Sequence, residues 1–116
     1  MRELIDGLGQ HMFVGLLTPG ETVIEANRPA LAAAGLRPED VLGQPVEQTY
    51  WWAYSKAVQQ QLREAVDRAA AGTPSRYDVQ VRGAEGEFIW LDFSLQPLRD
   101  EAGKVVFIVP SGNVIT

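Results

Sequence analysis

Few side chains in this sequence are of a type that does chemistry, and they do not converge. The single histidine, His11, ends a glycine-weakened stretch and reads as an exposed polar residue. There is no cysteine, which excludes disulfides, a thiolate nucleophile, a thiolate metal site and any cofactor held through sulfur. No HExxH, GxSxG or phosphate loop occurs. Gly83-x-x-Gly86 lies between two strand-like runs, so it is a turn and not an anion cradle. Glu39-Asp40 and Asp100-Glu101 occupy helix-start and turn positions, where carboxylates have local backbone reasons to stand. Asp92 alone sits inside a strong strand. Buried beside Tyr77 it would suit acid–base catalysis through a raised pKa, but it is expected to face outward. What remains is aromatic: Tyr50-Trp51-Trp52 and Tyr77. Such rings can wall an apolar pocket and lend it a polar tip, or they can simply fill a core. The chemistry available is therefore binding, with no metal site among the candidates.

Positioning those rings falls to a hairpin over residues 86–112. Ile89, Leu91, Phe93 and Leu95 alternate with Trp90, Asp92, Ser94 and Gln96, the period of a half-buried strand. Pro97 closes the run and Asp100-Glu101-Ala102-Gly103 supplies the turn. Val105 to Val109 answers it. A hairpin this apolar needs a cover. Upstream, Met12–Leu17 and Thr22–Ala26 flank the turn signal Thr18-Pro19-Gly20 and form a first hairpin. Asn27 is suited to cap a short helix from Pro29 to Ala34, stopped by Gly35. Pro38 to Leu42 reads as a single helical turn closed by Gly43, and Gln44 to Trp52 as irregular. Ser55 caps the one long helix, Lys56 to Ala71, whose apolar stripe is Val58, Leu62, Ala65, Val66 and Ala69. Tyr77, Val79 and Val81 make a further strand. Helices in one block between two groups of antiparallel strands define an α+β domain.

With 116 residues, 46% hydrophobic and 22% charged, the chain suffices for one domain over one core. Residues 1–11, with Ile5 and Leu8 at helical spacing, form an amphipathic segment ahead of the domain at 12–116. A net charge of −5 and an acidic isoelectric point argue against nucleic acid or an anionic membrane as partner. No apolar run approaches the ~18 residues of a membrane span and no signal-peptide pattern opens the sequence, so the expected location is cytoplasmic.

The order of elements and the residues that punctuate them resemble a PAS domain, the sensory module of many bacterial signalling proteins. The resemblance rests on Phe13-Val14-Gly15-Leu16-Leu17, Ile24-Glu25-Ala26-Asn27-Arg28, the stretch Gly35-Leu36-Arg37-Pro38-Glu39-Asp40-Val41-Leu42-Gly43-Gln44-Pro45, Gly86-Glu87-Phe88-Ile89-Trp90, Gln96-Pro97-Leu98-Arg99-Asp100 and Gly103-Lys104-Val105. It implies a five-stranded antiparallel sheet of order 2-1-5-4-3 with helices on one face. It also implies that Val14, Leu16, Val79, Val81, Leu91, Phe93, Leu95 and Ile108 face the helices. With Trp51, Leu62, Val66 and Tyr77 these make a candidate pocket for an apolar or aromatic small molecule. Trp90, Phe13 and Phe107 are implied to face outward and, with Ile5 and Leu8, to form a candidate homodimer surface. The family context implies an attached output domain, as in a sensor histidine kinase or diguanylate cyclase, with the signal leaving through Val114 and Thr116.

Members that bind flavin carry a reactive cysteine near positions 48–52 and amide side chains where this chain has Val81, Leu91 and Gly112. Haem-binding members use a histidine on the long helix, which has none here. Flavin, haem and a cysteine-linked chromophore are therefore disfavoured. The sequence departs from the family pattern twice: Val114 stands in a usually acidic position, and Pro110 falls within a central strand, where a bulge or interruption is expected near residues 109–112. Two other functions stay open: a ligand-free dimerisation module with a filled core, and a small cone-fold enzyme built on Asp92.

Overall fold

The computed structural model describes residues 12–115. Five strands, β1 (Met12–Leu17), β2 (Val23–Ala26), β3 (Ser75–Arg82), β4 (Phe88–Arg99) and β5 (Val105–Val114), form one antiparallel sheet of order β2-β1-β5-β4-β3. Two α-helices, α1 (Arg28–Ala34) and α2 (Lys56–Ala70), and short 3-10 turns at Pro38–Asp40 and Val46–Gln48 are inserted between β2 and β3. The α+β reading and the strand order hold. His11, Ile5, Leu8 and Thr116 lie outside the described residues, as does the amphipathic segment 1–11.

Capping sets the helix bounds. The Asn27 side chain accepts the Ala30 amide at 3.2 Å, and Pro29 fits the first turn. At the other end Gly35 takes φ 67°, and the Gly35 and Leu36 amides donate back to Ala32 and Leu31. This is the paired closure that needs a left-handed residue, which glycine adopts without a Cβ penalty. Ser55 Oγ accepts the Val58 amide at 3.3 Å to start α2. Leu62, Ala65, Val66 and Ala69 of that helix are fully buried, the stripe expected from their spacing.

Asn27 also ties the first hairpin to α1. Its Oδ1 accepts the Val14 amide at 3.1 Å, its Nδ2 donates to the Met12 carbonyl at 2.8 Å, and its own amide donates to the Val14 carbonyl at 2.8 Å. The outer edge of β2 is covered by the segment after the 38–40 turn. Val23 donates to Gln44, Gly43 donates to Val23, and Val46 donates to Glu21. These bonds occupy main-chain groups that an open edge would leave to solvent.

Register decides which residues face the helices. Phe13 pairs with Gly112, and Gly112 with Phe93. Val14 pairs with Ser111, and Ser111 with Ser94, the two serine hydroxyls meeting at 2.8 Å. Since paired residues share a face, Phe13, Gly15 and Leu17 lie on the helix side with Leu91, Phe93 and Leu95. Val14 and Leu16 lie on the other face, where they are buried outside the sheet–helix core. This inverts the expectation for β1. MFVGLL is apolar at nearly every position, so alternation carries no phase, and a one-residue slip exchanges the faces. For Trp90 the expectation holds: it is 49% exposed on the outer face, which Phe107 and Leu98 share.

Pro110 does not bulge β5. It stands opposite Leu95 with the register unbroken, while the ladder to β1 skips from Val14–Ser111 to Leu17–Ile108. The interruption therefore falls on the β1 side alone, where proline's missing N–H is felt. The register shifts lie elsewhere, leaving Ile24 unpaired against β1 and Val106 against β4. Opposite Pro110, Gly15 is obligatory. A Cβ there would lie 2.9 Å from the Glu25 carbonyl oxygen and 3.4 Å from Pro110 Cγ. A Cβ on Gly112 would instead meet the Leu91 Cδ1 at 2.9 Å, a movable side-chain end.

Two outcomes follow for chemical denaturation. Asn27→Ala removes the helix cap and strands the Val14 amide and Met12 carbonyl, and is expected to cost about 2–4 kcal/mol. Gly15→Ala is expected to cost about 1–3 kcal/mol because backbone must move, whereas Gly112→Ala costs less than about 1 kcal/mol as Leu91 turns aside. Equal losses for the two glycines would refute the backbone-contact argument.

Candidate functional site

The sheet and helices frame a partly open cavity of about 70 Å³. Its floor is the central sheet: Phe13, Gly15 and Leu17 of β1, Pro110 and Gly112 of β5, Leu91, Phe93 and Leu95 of β4, and Val81 of β3. Val23 and Ala26 close the β2 side, and Ala30, Val46, Trp51, Trp52 and Leu62 form the roof. Val14 and Glu25 border it.

The roof is anchored by hydrogen bonds from the aromatic segment. Trp51 Nε1 donates to the Ala30 carbonyl at 3.1 Å, and the Trp52 ring packs edge-on to Phe93 with centroids 5.0 Å apart. The Tyr50 hydroxyl donates to Gly83 at 2.7 Å, and the Tyr54 hydroxyl donates to the Gln80 carbonyl at 2.5 Å. The Arg82 guanidinium lies 4.0 Å from the Tyr50 ring centroid and donates to the Tyr50 carbonyl. The segment 50–54 is thereby stitched to the β3 end of the sheet.

Of the residues expected to wall a pocket, the structure brings together Trp51, Leu62, Val81, Leu91, Phe93 and Leu95, with Val14 at the border. Val66, Val79 and Ile108 are buried in the core but do not line the cavity, and Leu16 lies on the other face. Tyr77 packs edge-on to Phe93, centroids 5.6 Å apart. Its hydroxyl is buried with no hydrogen-bond partner among the described residues, and burial pushes its pKa up to about 12. It therefore stays neutral and outside the lining. Trp52, one of the rings singled out in the sequence, also lines it, whereas sequence reasoning missed Phe13, Gly15, Pro110 and Gly112. The readable signal was glycine inside strands, which marks places where a partner approaches closely.

The lining is apolar apart from Glu25 at the border and the tied-down Trp51 amine. Positions 81, 91 and 112, where flavin-binding members place amides, all line the cavity and offer no polar side chain. Asp92 lies on the outer face, gripped by Arg76 Nε at 2.9 Å and Nη2 at 2.6 Å. The hydrogen bonds and charge of Arg76 hold its carboxyl below the usual range, the opposite of what a general acid requires.

The strand that floors the cavity runs on to Val114. Val114 pairs with Leu91, and the Ile115 amide donates to the Trp90 carbonyl at 2.9 Å, which keeps this end of the described chain beside β4. Val114, Ile115, Trp90 and Phe88 are all exposed there.

A family profile described as the PAS fold matches residues 10–116. The chain is 38% identical over 117 residues to the sensor histidine kinase TmoS of Ectopseudomonas mendocina, covering 99% of this chain and 12% of that protein. It is 37% identical over 108 residues to hybrid signal transduction histidine kinase D of Dictyostelium discoideum, covering 91% of this chain and 7% of that one. Among solved structures, the PAS domain of Bordetella pertussis BvgS superposes with a TM-score of 0.79 at 22% identity, covering all of this chain and 84% of the other. The chain belongs to the PAS-fold family.

Proposed function

We propose that this chain is the sensory module of a larger signal-transduction protein, taking up a small apolar or aromatic molecule and passing a change of sheet geometry to an attached output domain. The observation that carries this reading is that β5 supplies both the cavity floor, at Pro110 and Gly112, and the chain exit at Val114. A molecule pressing on that floor acts on the strand that leads out. The two kinase relatives, of which this chain matches a small part, support a signalling context. No described helix is long and apolar enough to cross a membrane, which fits a cytoplasmic placement. The outer face, with Trp90, Leu98 and Phe107, is the surface we assign to a homodimer, since monomers rarely leave such patches bare.

Size limits the ligand. The cavity of about 70 Å³ is about half the ~150 Å³ of an apolar cavity known to take benzene. It is far below the ~300–1,000 Å³ of cofactor-sized pockets. A single ring is the largest guest that modest displacement of Phe13 and Leu91 admits. The same small volume favours a second reading, a ligand-free interaction module with a filled core.

Thermal melts in saturating benzene, toluene or phenol, with sedimentation of wild type against Trp90→Asp, separate the two. Uptake of a ring is expected to raise the melting temperature saturably, since occupancy at a hundredfold excess over Kd adds about 2.7 kcal/mol. No shift with any of the three, and a dimer that Trp90→Asp abolishes, would establish the interaction module instead.

A further inference from the structure

The turn between β1 and β2 places the left-handed backbone on an unexpected residue. Glycine at 20 is available for it, yet Glu21 takes φ 79°, a region costly for any side chain with a Cβ. Bonds on both sides hold it there: the Glu21 amide donates to Thr18 at 3.0 Å, and its carbonyl accepts the Val46 amide at 2.8 Å. This conformation directs a half-buried carboxyl toward Glu47 on the 46–48 turn.

Glu47 is itself out of place for a carboxylate. Its side chain is only 9% exposed. Oε1 meets Arg63 Nη2 of α2 at 3.4 Å, a loose ion pair, while Oε2 is buried and no donor among the described residues reaches it. An orphaned carboxylate oxygen is a costly thing to bury. The Glu21 side chain is hydrogen-bonded to that of Glu47, and two carboxyls can bond in this way only if one of them carries a proton.

We propose that Glu21 and Glu47 share a single proton and act as a proton-operated latch between the β1–β2 turn and the 46–48 turn beneath α2. With the proton present, Glu21 donates to the Glu47 carboxylate and the two turns are joined through side chains as well as through the Glu21–Val46 backbone bond. When it is lost, two carboxylates face each other in a half-buried site and the turns are driven apart. The charged groups acting on Glu21 from α2 are Arg63, which favours ionisation, and Asp67, which opposes it. Gln59 of the same helix donates to the Glu47 carbonyl at 2.7 Å, so the latch bears directly on α2.

The acid strength agrees with the geometry. Burial first, then the hydrogen bond to Glu47 and the charges of Glu47 and Asp67, push Glu21 from its ordinary 4.5 up to about 7. A carboxyl raised in this way holds more protons folded than unfolded. Its contribution to stability is complete below the ordinary carboxylate range, falls as pH rises toward 7, and stays lost above it. The latch is closed in mild acid and open in mild base.

Carbon-detected NMR of the glutamate carboxyls in the intact chain tests this directly, together with melting from pH 5 to pH 8. Glu21 is expected to titrate near neutrality, the Val46 amide shift is expected to follow the same midpoint, and Glu47→Gln is expected to return Glu21 toward the ordinary range. In Glu21→Gln the melting temperature should lose the several-degree fall that wild type shows across this interval. Titration of Glu21 in the ordinary carboxylate range, a Val46 amide blind to that midpoint, or parallel melting curves for wild type and Glu21→Gln would each overturn the proposal.

Discussion

One buried amide holds the domain's layers in place. Asn27 is fully buried where the β1–β2 ladder ends and α1 begins. Its main-chain amide extends the ladder by one bond to Val14, and its side chain then converts the strand into a helix start. Met12, Val14 and Ala30 all satisfy a main-chain group through it. A side chain of another chemistry could cap the helix or extend the ladder. The carboxamide does both because it donates and accepts at once. The roof depends on this joint in turn, since Trp51 is tied to Ala30, the residue that Asn27 caps. Without it, neither the position of α1 over the sheet nor the space beneath Trp51 is defined.

That space is small and locally caused. Two glycines in the central strands and a proline between them remove side-chain volume where β1 and β5 meet, and Phe13 and Leu91 fill only part of it. At about 24 cal/mol per Å³, a void of about 70 Å³ costs roughly 2 kcal/mol, a load that a domain stable by 5–15 kcal/mol carries without collapse. Gly15 cannot be replaced without moving the Glu25 carbonyl, so backbone spacing sets the β1 side of the void while the Phe13 and Leu91 side chains set how much of it is filled.

The helix bounds and the strands themselves were legible because each had a local cause in the sequence, whereas the strand order and the outward Trp90 followed only from the family resemblance. Asn27, Ser55, Gly35 and Gly72 mark helix ends by chemistry that acts within a few residues, and IWLDFSLQ carries a clear alternation. The phase of β1 was not legible, since MFVGLL offers apolar residues to both faces and only pairing across to Gly112 and Ser111 decides. Nor was the placement of strain. Pro110 advertises a disruption, yet its effect is confined to one neighbour, and the register shifts occur at Ile24 and Val106, which nothing local distinguishes. Glu21 hides most completely. Beside a glycine in a turn it reads as a surface acid, and only the return of the chain at Val46 and Glu47 gives its carboxyl a partner.

Cavity and carboxyl pair are joined by the same short turn. Val46 roofs the cavity while its amide holds Glu21, and Glu47, the next residue, faces the Glu21 side chain. Val23, two residues after Glu21, closes the cavity's β2 side. A shift of the 46–48 turn away from the β1–β2 hairpin would therefore open the carboxyl pair and widen the cavity together. If a molecule entered the cavity and favoured the wider state, linkage would require it to favour release of the proton, and deprotonation to favour entry to the same degree. Because the cavity and the carboxyl pair meet at one turn rather than at distant sites, such a coupling would need no pathway through the sheet. It needs only that Val46 and Glu47 move as a unit, which the 3-10 bond from Thr49 to Val46 and the Thr49 hydroxyl on the same carbonyl both promote.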